Sequence, residues 1–237
     1  KIRPGKICKE AGKASIAWVR EATKLCLEKK AAAVVTAPLC KESVEKTVPG
    51  FQGHTEFIGE MCGDSRPVLC LVHKDWVVAH VSTHVSLREA CDRAKKERIL
   101  KTATLLNDFL IRYKKVKTPC LGIAGLNPHA GEGGLFGTEE IEEIIPAVRE
   151  LKKKKIKAEG PFPGDVIFPK LRSGAFDGVV AMYHDQGHIV TKTLLFQLGQ
   201  VKKTGGVNTT LGLPVIRTSV DHGPGFDIAW QGIADAN

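Results

Sequence analysis

PCLGIAGLNPHAGEGG (residues 119–134) and GVVAMYHDQG (residues 178–187) share one layout, which WVVAHVSTH (residues 76–84) repeats. In each, a short apolar, β-branched run breaks off and a histidine follows within a few positions. Apolar runs of this length, bounded by Gly, Pro, Asn or Ser, read as buried strands. A parallel α/β sheet gathers its loops at the carboxyl ends of its strands, where such sheets bind ligands. His84, His129 and His184 therefore stand where one sheet can bring distant residues together. Three imidazoles with no fourth protein ligand would form an open divalent-metal site of the catalytic kind.

The neighbouring segments fit the same architecture. Residues 15–30 predict an amphipathic helix, with Ile16, Val19, Ala22 and Cys26 at helical spacing. Residues 31–39 follow as a strand, and residues 40–63 as a polar loop leading into a short helix. PVLCLVH and WVVAHVSTH, separated by Lys74 and Asp75, predict an antiparallel hairpin. Ser86 with Glu89 forms a capping box that opens one long helix carrying Leu100, Leu105 and Leu106. Thr138 is placed to cap the helix TEEIEEIIPAVRELKKKK, whose charge runs from Glu to Lys along its dipole. After GPFPGD come a short helix, the strand FDGVVAMYHDQ, an irregular Lys- and Gly-rich stretch, and a last strand in LPVIRTSVDHG. The expected fold class is α/β with a mixed, mostly parallel sheet.

A chain of 237 residues, 43% of them hydrophobic, can bury a substantial core. No apolar run approaches a bilayer's thickness, and KIRPGKICKEAGK at the start has no signal-peptide stretch. Seven cysteines without a CxxC pair read as reduced thiols, so the expected location is cytoplasmic. The net charge of +9 lies largely in local runs such as residues 152–155, which suit the end of a helix. No aromatic-interleaved basic stripe accompanies it, which argues against nucleic acid and leaves an anionic small substrate to account for the sign.

TAPLCKE (residues 36–42), GHTE (53–56), STHVSLRE (82–89), GLNPHAGEGG (125–134), GPFPGD (160–165), MYHDQGH (182–188) and NTTLGLPVIRTSVDHG (208–223) occur in that order. In this the chain resembles the PdxA family, 4-hydroxythreonine-4-phosphate dehydrogenase of pyridoxine (vitamin B6) synthesis. Relatives of that family oxidise 4-phosphorylated threonate or erythronate. The resemblance spans nearly the whole of residues 1–237 as one PdxA-like region, in which two α/β lobes can intertwine. It implies an isocitrate/isopropylmalate dehydrogenase-like fold, incomplete at the N-terminus: the family's GDPxGIGPE-like segment is missing, and the stretch between Lys192 and Asn208 is longer than its usual connection. DHGP also stands where DHGT is more usual, at Pro224.

What the resemblance implies for the site is specific. His84, His129 and His184 match its metal ligands, for zinc, magnesium or cobalt. His54 and Thr55 match its substrate-binding pair, and Lys192, Asn208 and Arg217 match its further substrate contacts. The reaction is oxidation of a secondary alcohol by NAD or NADP, followed by decarboxylation of the keto acid, in a homodimer whose active site is shared between subunits. On their own chemistry, Lys192 and Arg217 suit a phosphate or a carboxylate, the arginine by a bidentate fork. Asn208 and Thr55 offer neutral hydrogen bonds. Asp165 and Asp185 are catalytic candidates, either orienting a metal ligand or handling a proton. His80 reads as a strand residue, while His188 and the general base stay open. AGEGG is not a GxGxxG fingerprint, so the nicotinamide cofactor rests on the resemblance alone. The main expectation is oxidation of 4-phosphohydroxy-L-threonine. Its alternatives are a 4-phospho-D-threonate or erythronate dehydrogenase, to which GFDIAWQGIADAN leans, or a shortened relative that binds without turnover.

Overall fold

The computed structural model describes residue 2 and residues 4–63, 66–195 and 206–234. These divide into two compact units. The first unit joins the two ends of the chain, Lys1–Pro67 and Gln200–Asn237; the second is the continuous stretch Val68–Gly199.

In the first unit, helix α1 (Lys9–Leu27), strand β1 (Ala33–Thr36) and helices α2 (Lys41–Glu45) and α3 (His54–Met61) come from the N-terminal part. Strands β7 (Val207–Leu211) and β8 (Ile216–Ser219) come from the C-terminal part. β8 lies between β1, parallel to it, and β7, antiparallel to it. Cys26, Val34, Ile58 and Val215 form the core of this unit. Gly12 lets α1 approach α2, because a Cβ there would overlap the backbone of Ser43.

The second unit holds a five-strand arrangement in the order β2 (Val68–His73), β3 (Trp76–His80), β6 (Gly178–Ala181), β4 (Cys120–Ala124) and β5 (Lys157–Phe162). β2 and β3 form the expected antiparallel hairpin, with His73 opposite Trp76. The remaining pairs, β3 with β6, β6 with β4 and β4 with β5, are parallel. The α/β class with mostly parallel pairing is therefore as expected. Ile167, Phe168, Leu171, Phe176 and Val179 centre the core, with the Trp76 ring stacked on Phe168 at 6.0 Å.

Several local expectations are corrected. The helix after Ser86 is two helices, α4 (Leu87–Arg93) and α5 (Lys96–Arg112). Ser86 caps the first through its hydroxyl, accepting from Glu89 N–H at 3.2 Å. The second is capped from far along the chain, by Glu143 accepting the Lys96 N–H at 2.8 Å. That carboxylate also takes the Lys95 ammonium at 3.0 Å, and these contacts hold Glu143 below the usual carboxylate range. No side-chain cap comes from Thr138; its backbone carbonyl accepts from Glu142 N–H, and a wide π-type turn over Glu140–Ile144 precedes α6 (Ile145–Lys153). β5 was not foreseen, because KAEGPF carries Gly and Pro. It sits at the edge of the strand order, a place where a proline need cost no ladder bond. β6 ends at Ala181, so His184 opens helix α8 (His184–Leu195) instead of continuing a strand. β7 was read as irregular. The middle of the long stretch between Lys192 and Asn208, residues 196–205, lies outside the described residues.

Candidate active site

Two of the three strand-end histidines meet because of register. β3 and β6 run parallel with His80 beside Ala181, and the pairing continues as Val81 N–H donates to Ala181 O at 2.9 Å. Four residues beyond His80 and three beyond Ala181, the rings of His84 and His184 stand with centres 5.7 Å apart. They line a cavity of about 380 Å³ together with Thr83, Leu87, Tyr183 and Asp185. Asp185 Oδ1 lies 2.6 Å from His184 Nδ1. A carboxylate on Nδ1 fixes the ring and leaves Nε2 for a ligand, the habit of metal-bound histidines.

His129 arrives on a different kind of turn. From His129 to Gly133 five consecutive residues have positive φ, at 53°, 53°, 81°, 43° and 66°, so the loop winds left-handed. For His129, Ala130 and Glu132 this conformation costs about 1–2 kcal/mol each. The surroundings that hold it centre on Glu140, a carboxylate buried to 2% exposure. Its Oε1 accepts from Leu126 N–H at 2.7 Å and Asn127 N–H at 2.8 Å, and its Oε2 accepts from Asn127 Nδ2 at 2.9 Å. A Cβ on Gly131 would come within 2.7 Å of that Oε2. Gln186 ties this loop to the His184 turn, accepting from Met182 N–H at 2.7 Å and donating to Gly125 O at 2.8 Å. His129 itself is exposed, with Nδ1 3.1 Å from Glu132 Oε2.

The donor chemistry at His84 and His184 fits a divalent ion. Two imidazoles on one tetrahedral ion place their ring centres about 5 Å apart. The third expected ligand is not brought to the pair: among the described residues, no group of three or more His, Cys, Asp or Glu is assembled to hold a metal.

Behind His184 lie His188, which the sequence left open, and His80, which it read as a strand residue. His188 stacks on His184 at 3.7 Å, and His80 lies 4.7 Å beyond it. Burial, then the charge of His184, pushes His188 down to about 4. Burial, then His188, holds His80 well below the usual histidine range. Lys192, one turn further along α8, is half-buried. Asp165 is exposed in the first turn of helix α7 (Gly164–Arg172).

The first unit assembles a second polar cluster around Arg217, which is 3% exposed. Its Nη2 donates to Thr36 Oγ1 at 2.8 Å; its Nη1 donates to Thr210 Oγ1 at 3.0 Å and lies 3.4 Å from Thr55 Oγ1. Burial lowers Arg217 to about 10, opposed by the Glu56 carboxylate. Burial, then the charge of Arg217, lowers His54 to about 4. Of the expected substrate group, His54, Thr55 and Arg217 thus influence one another directly. Asn208, on β7, has a buried Oδ1 with no partner among the described residues, as does Arg217 Nε. Thr36 and Thr210 were missed. For Thr36 the available signal was strand alternation, which puts it on a buried position of β1 where a hydroxyl needs a partner; β7 is buried over its last three residues without alternating and gives no such signal for Thr210.

An α/β scaffold with imidazoles at its strand ends and a buried arginine among hydroxyls carries side chains suited to a small anionic ligand. The model of the family described as pyridoxal phosphate biosynthetic protein PdxA matches residues 1–237. The chain is 43% identical over 232 residues to the D-threonate 4-phosphate dehydrogenase of Cupriavidus necator, covering 98% of this chain and 67% of that protein. It is 40% identical over 233 residues to the enzyme of the same description from Pectobacterium atrosepticum, covering 98% and 69%. The crystal structure of 4-hydroxythreonine-4-phosphate dehydrogenase from Klebsiella pneumoniae superimposes with a TM-score of 0.84 at 42% identity, covering 98% of this chain and 69% of that one. The chain belongs to the PdxA family and is a dehydrogenase of that kind. It spans about two thirds of the length of these relatives. Membership implies a nicotinamide cofactor and a phosphorylated hydroxy-acid substrate. Among the described residues no helix is long and apolar enough to cross a membrane.

Proposed function

We propose that the chain oxidises 4-phospho-D-threonate, in preference to the 4-phosphohydroxy-L-threonine that the resemblance first suggested. The observation that supports an anionic substrate is the Arg217 cluster: a buried guanidinium with Nε unengaged among the described residues, close to hydroxyls and a neutral His54. Buried polar groups are normally satisfied, so these atoms mark where a ligand's oxygens belong. Arg217 binds a carboxylate or phosphate, and Thr55 and Asn208 orient it. The choice of threonate rests on the relatives from Cupriavidus necator and Pectobacterium atrosepticum.

His84 and His184 are the residues that would hold a divalent zinc, magnesium or cobalt ion; His129, the third ligand the resemblance implies, is not brought to them among the described residues. Such an ion supplies Lewis-acid polarisation of the hydroxyl and, later, of the ketone. Asp185 keeps His184 in the tautomer that leaves Nε2 available. In the reaction the C3–H bond gives its hydride to NAD or NADP, and the hydroxyl proton passes to a base or to water. The product is a β-keto acid, which loses carbon dioxide to leave a three-carbon ketone phosphate. Asp165, exposed on α7, and Asp185 are the acid–base groups offered for the proton. A homodimer in the cytoplasm completes the reading. Exposed Trp230, Val35 and Ile233 offer apolar surface for association, and the unpaired thiols suit a reducing compartment.

The test is formation of reduced nicotinamide with each of the two substrates, with and without chelator. Chelator-sensitive turnover that favours 4-phospho-D-threonate is expected, and Arg217→Lys should lose most of it. Faster turnover of 4-phosphohydroxy-L-threonine would refute the substrate assignment.

A further inference from the structure

Four histidines of the second unit form a file from core to surface: His80, His188, His184 and His84. Successive ring centres are 4.7, 3.7 and 5.7 Å apart. The innermost, His80, has no exposure, and its Nδ1 donates to Leu69 O at 3.3 Å. Gly187 is required beside it, since a Cβ there would overlap His80 Nε2. His188, 6% exposed, lies flat on His184 with 10° between the ring planes. Its Nδ1 donates to the backbone carbonyl of His184 at 3.0 Å, one helical turn back. His184 is thus held at its ring edge by Asp185, on its face by His188 and at its backbone by the same His188.

We propose that His188 is a positioning residue: it sets the ring of His184 for metal binding, with His80 as the fixed support behind it. The inference rests on the reading that His84 and His184 hold a divalent ion. A leucine at 188 would fill the volume without burying ring nitrogens, so space filling alone does not call for an imidazole. What the imidazole adds is a flat plate parallel to His184 and a hydrogen bond that fixes the first turn of α8. Restricting a ligand before it binds removes ordering cost from the binding step. Losing a group that orients a ligand typically weakens metal affinity about 10–100-fold.

The experiment measures zinc affinity of the full chain by competition with a chromophoric chelator, and the visible spectrum of bound cobalt. The parent, His184→Ala, His188→Leu, His188→Phe and His188→Gln are compared, each with its thermal midpoint in chelator. The parent should bind, and His184→Ala should not. His188→Leu and His188→Gln should bind about tenfold more weakly, with a shifted cobalt spectrum and a chelator-treated midpoint near the parent's. His188→Phe, which keeps the plate, should recover most of the affinity. If His188→Leu does not fold, the comparison of Phe with Gln decides. No zinc binding by the folded parent would overturn the metal reading itself. Parent binding with equal affinities across the folded 188 variants would overturn the positioning role alone.

Discussion

Removing the Glu140 side chain should loosen the loop that carries His129, and the size of the effect follows from its contacts. Glu140 is buried at 2% exposure and receives two backbone N–H groups and one side-chain amide, all within 2.9 Å. Hydrogen bonds to a charged group contribute about 1.5–3 kcal/mol each, and Leu126 and Asn127, being half-buried, recover part of that from water. A net loss of about 3–5 kcal/mol is expected for Glu140→Ala. At roughly 2–4 °C per kcal/mol for a chain of this size, the thermal midpoint should fall by about 10 °C. Glu140→Gln keeps an oxygen for the two backbone amides but turns an NH2 toward Asn127 Nδ2, so a loss of about 1–2 kcal/mol is expected. Hydrogen exchange gives the local readout: the amides of Leu126 and Asn127 should exchange much faster in Glu140→Ala, while those of the β2–β3 hairpin stay near parent rates. A Glu140→Ala midpoint within 2 °C of the parent (well below the roughly 10 °C expected), with unchanged exchange at these amides, would refute the anchoring argument.

Three further outcomes follow from the same structure. Ala130→Gly should raise the thermal midpoint slightly, by about 0.5–1 kcal/mol in stability, because φ is 53° at Ala130 and glycine carries no left-handed penalty; a lowered midpoint would contradict this. Gly187→Ala should destabilise by about 2–3 kcal/mol, since the new methyl meets His80 and Val78, and adding His80→Ala should cost less than the sum of the two single changes in a double-mutant cycle. Stability should fall at mildly acid pH: the unfolded chain takes up protons near 6.5, whereas folded His54 and His188 hold off until about 4. Stability is then full above pH 6.5 and declines as pH drops toward 4, by at most about 1.4 kcal/mol per unit per group, less at the partly open His54. Urea midpoints at pH 7, 6 and 5 check this, and a flat profile would sink it.

Whatever depends on neighbours a few residues away was legible in the sequence. Short continuous apolar runs located β2, β3, β4 and β6, and the two-residue break at Lys74 and Asp75 marked the hairpin. Ser86 with Glu89 announced its own cap. The motif order identified the family, and the strand-end rule grouped His84, His129 and His184, of which the rings of His84 and His184 stand 5.7 Å apart. Tertiary structure alone decided the rest, because it concerns partners that no local window contains. Glu143 caps a helix that begins 47 residues earlier in the chain. Arg217 reaches a hydroxyl on Thr36, 181 residues away, because β1 and β8 are parallel neighbours with Val34 beside Arg217. KAEGPF becomes a strand only because an edge position tolerates its proline. In sequence His80 reads as an ordinary strand residue and His188 has no assigned role. Only the packing of α8 against β3 stacks them behind His184, and a stack of rings is set by three-dimensional register, which residue spacing does not encode.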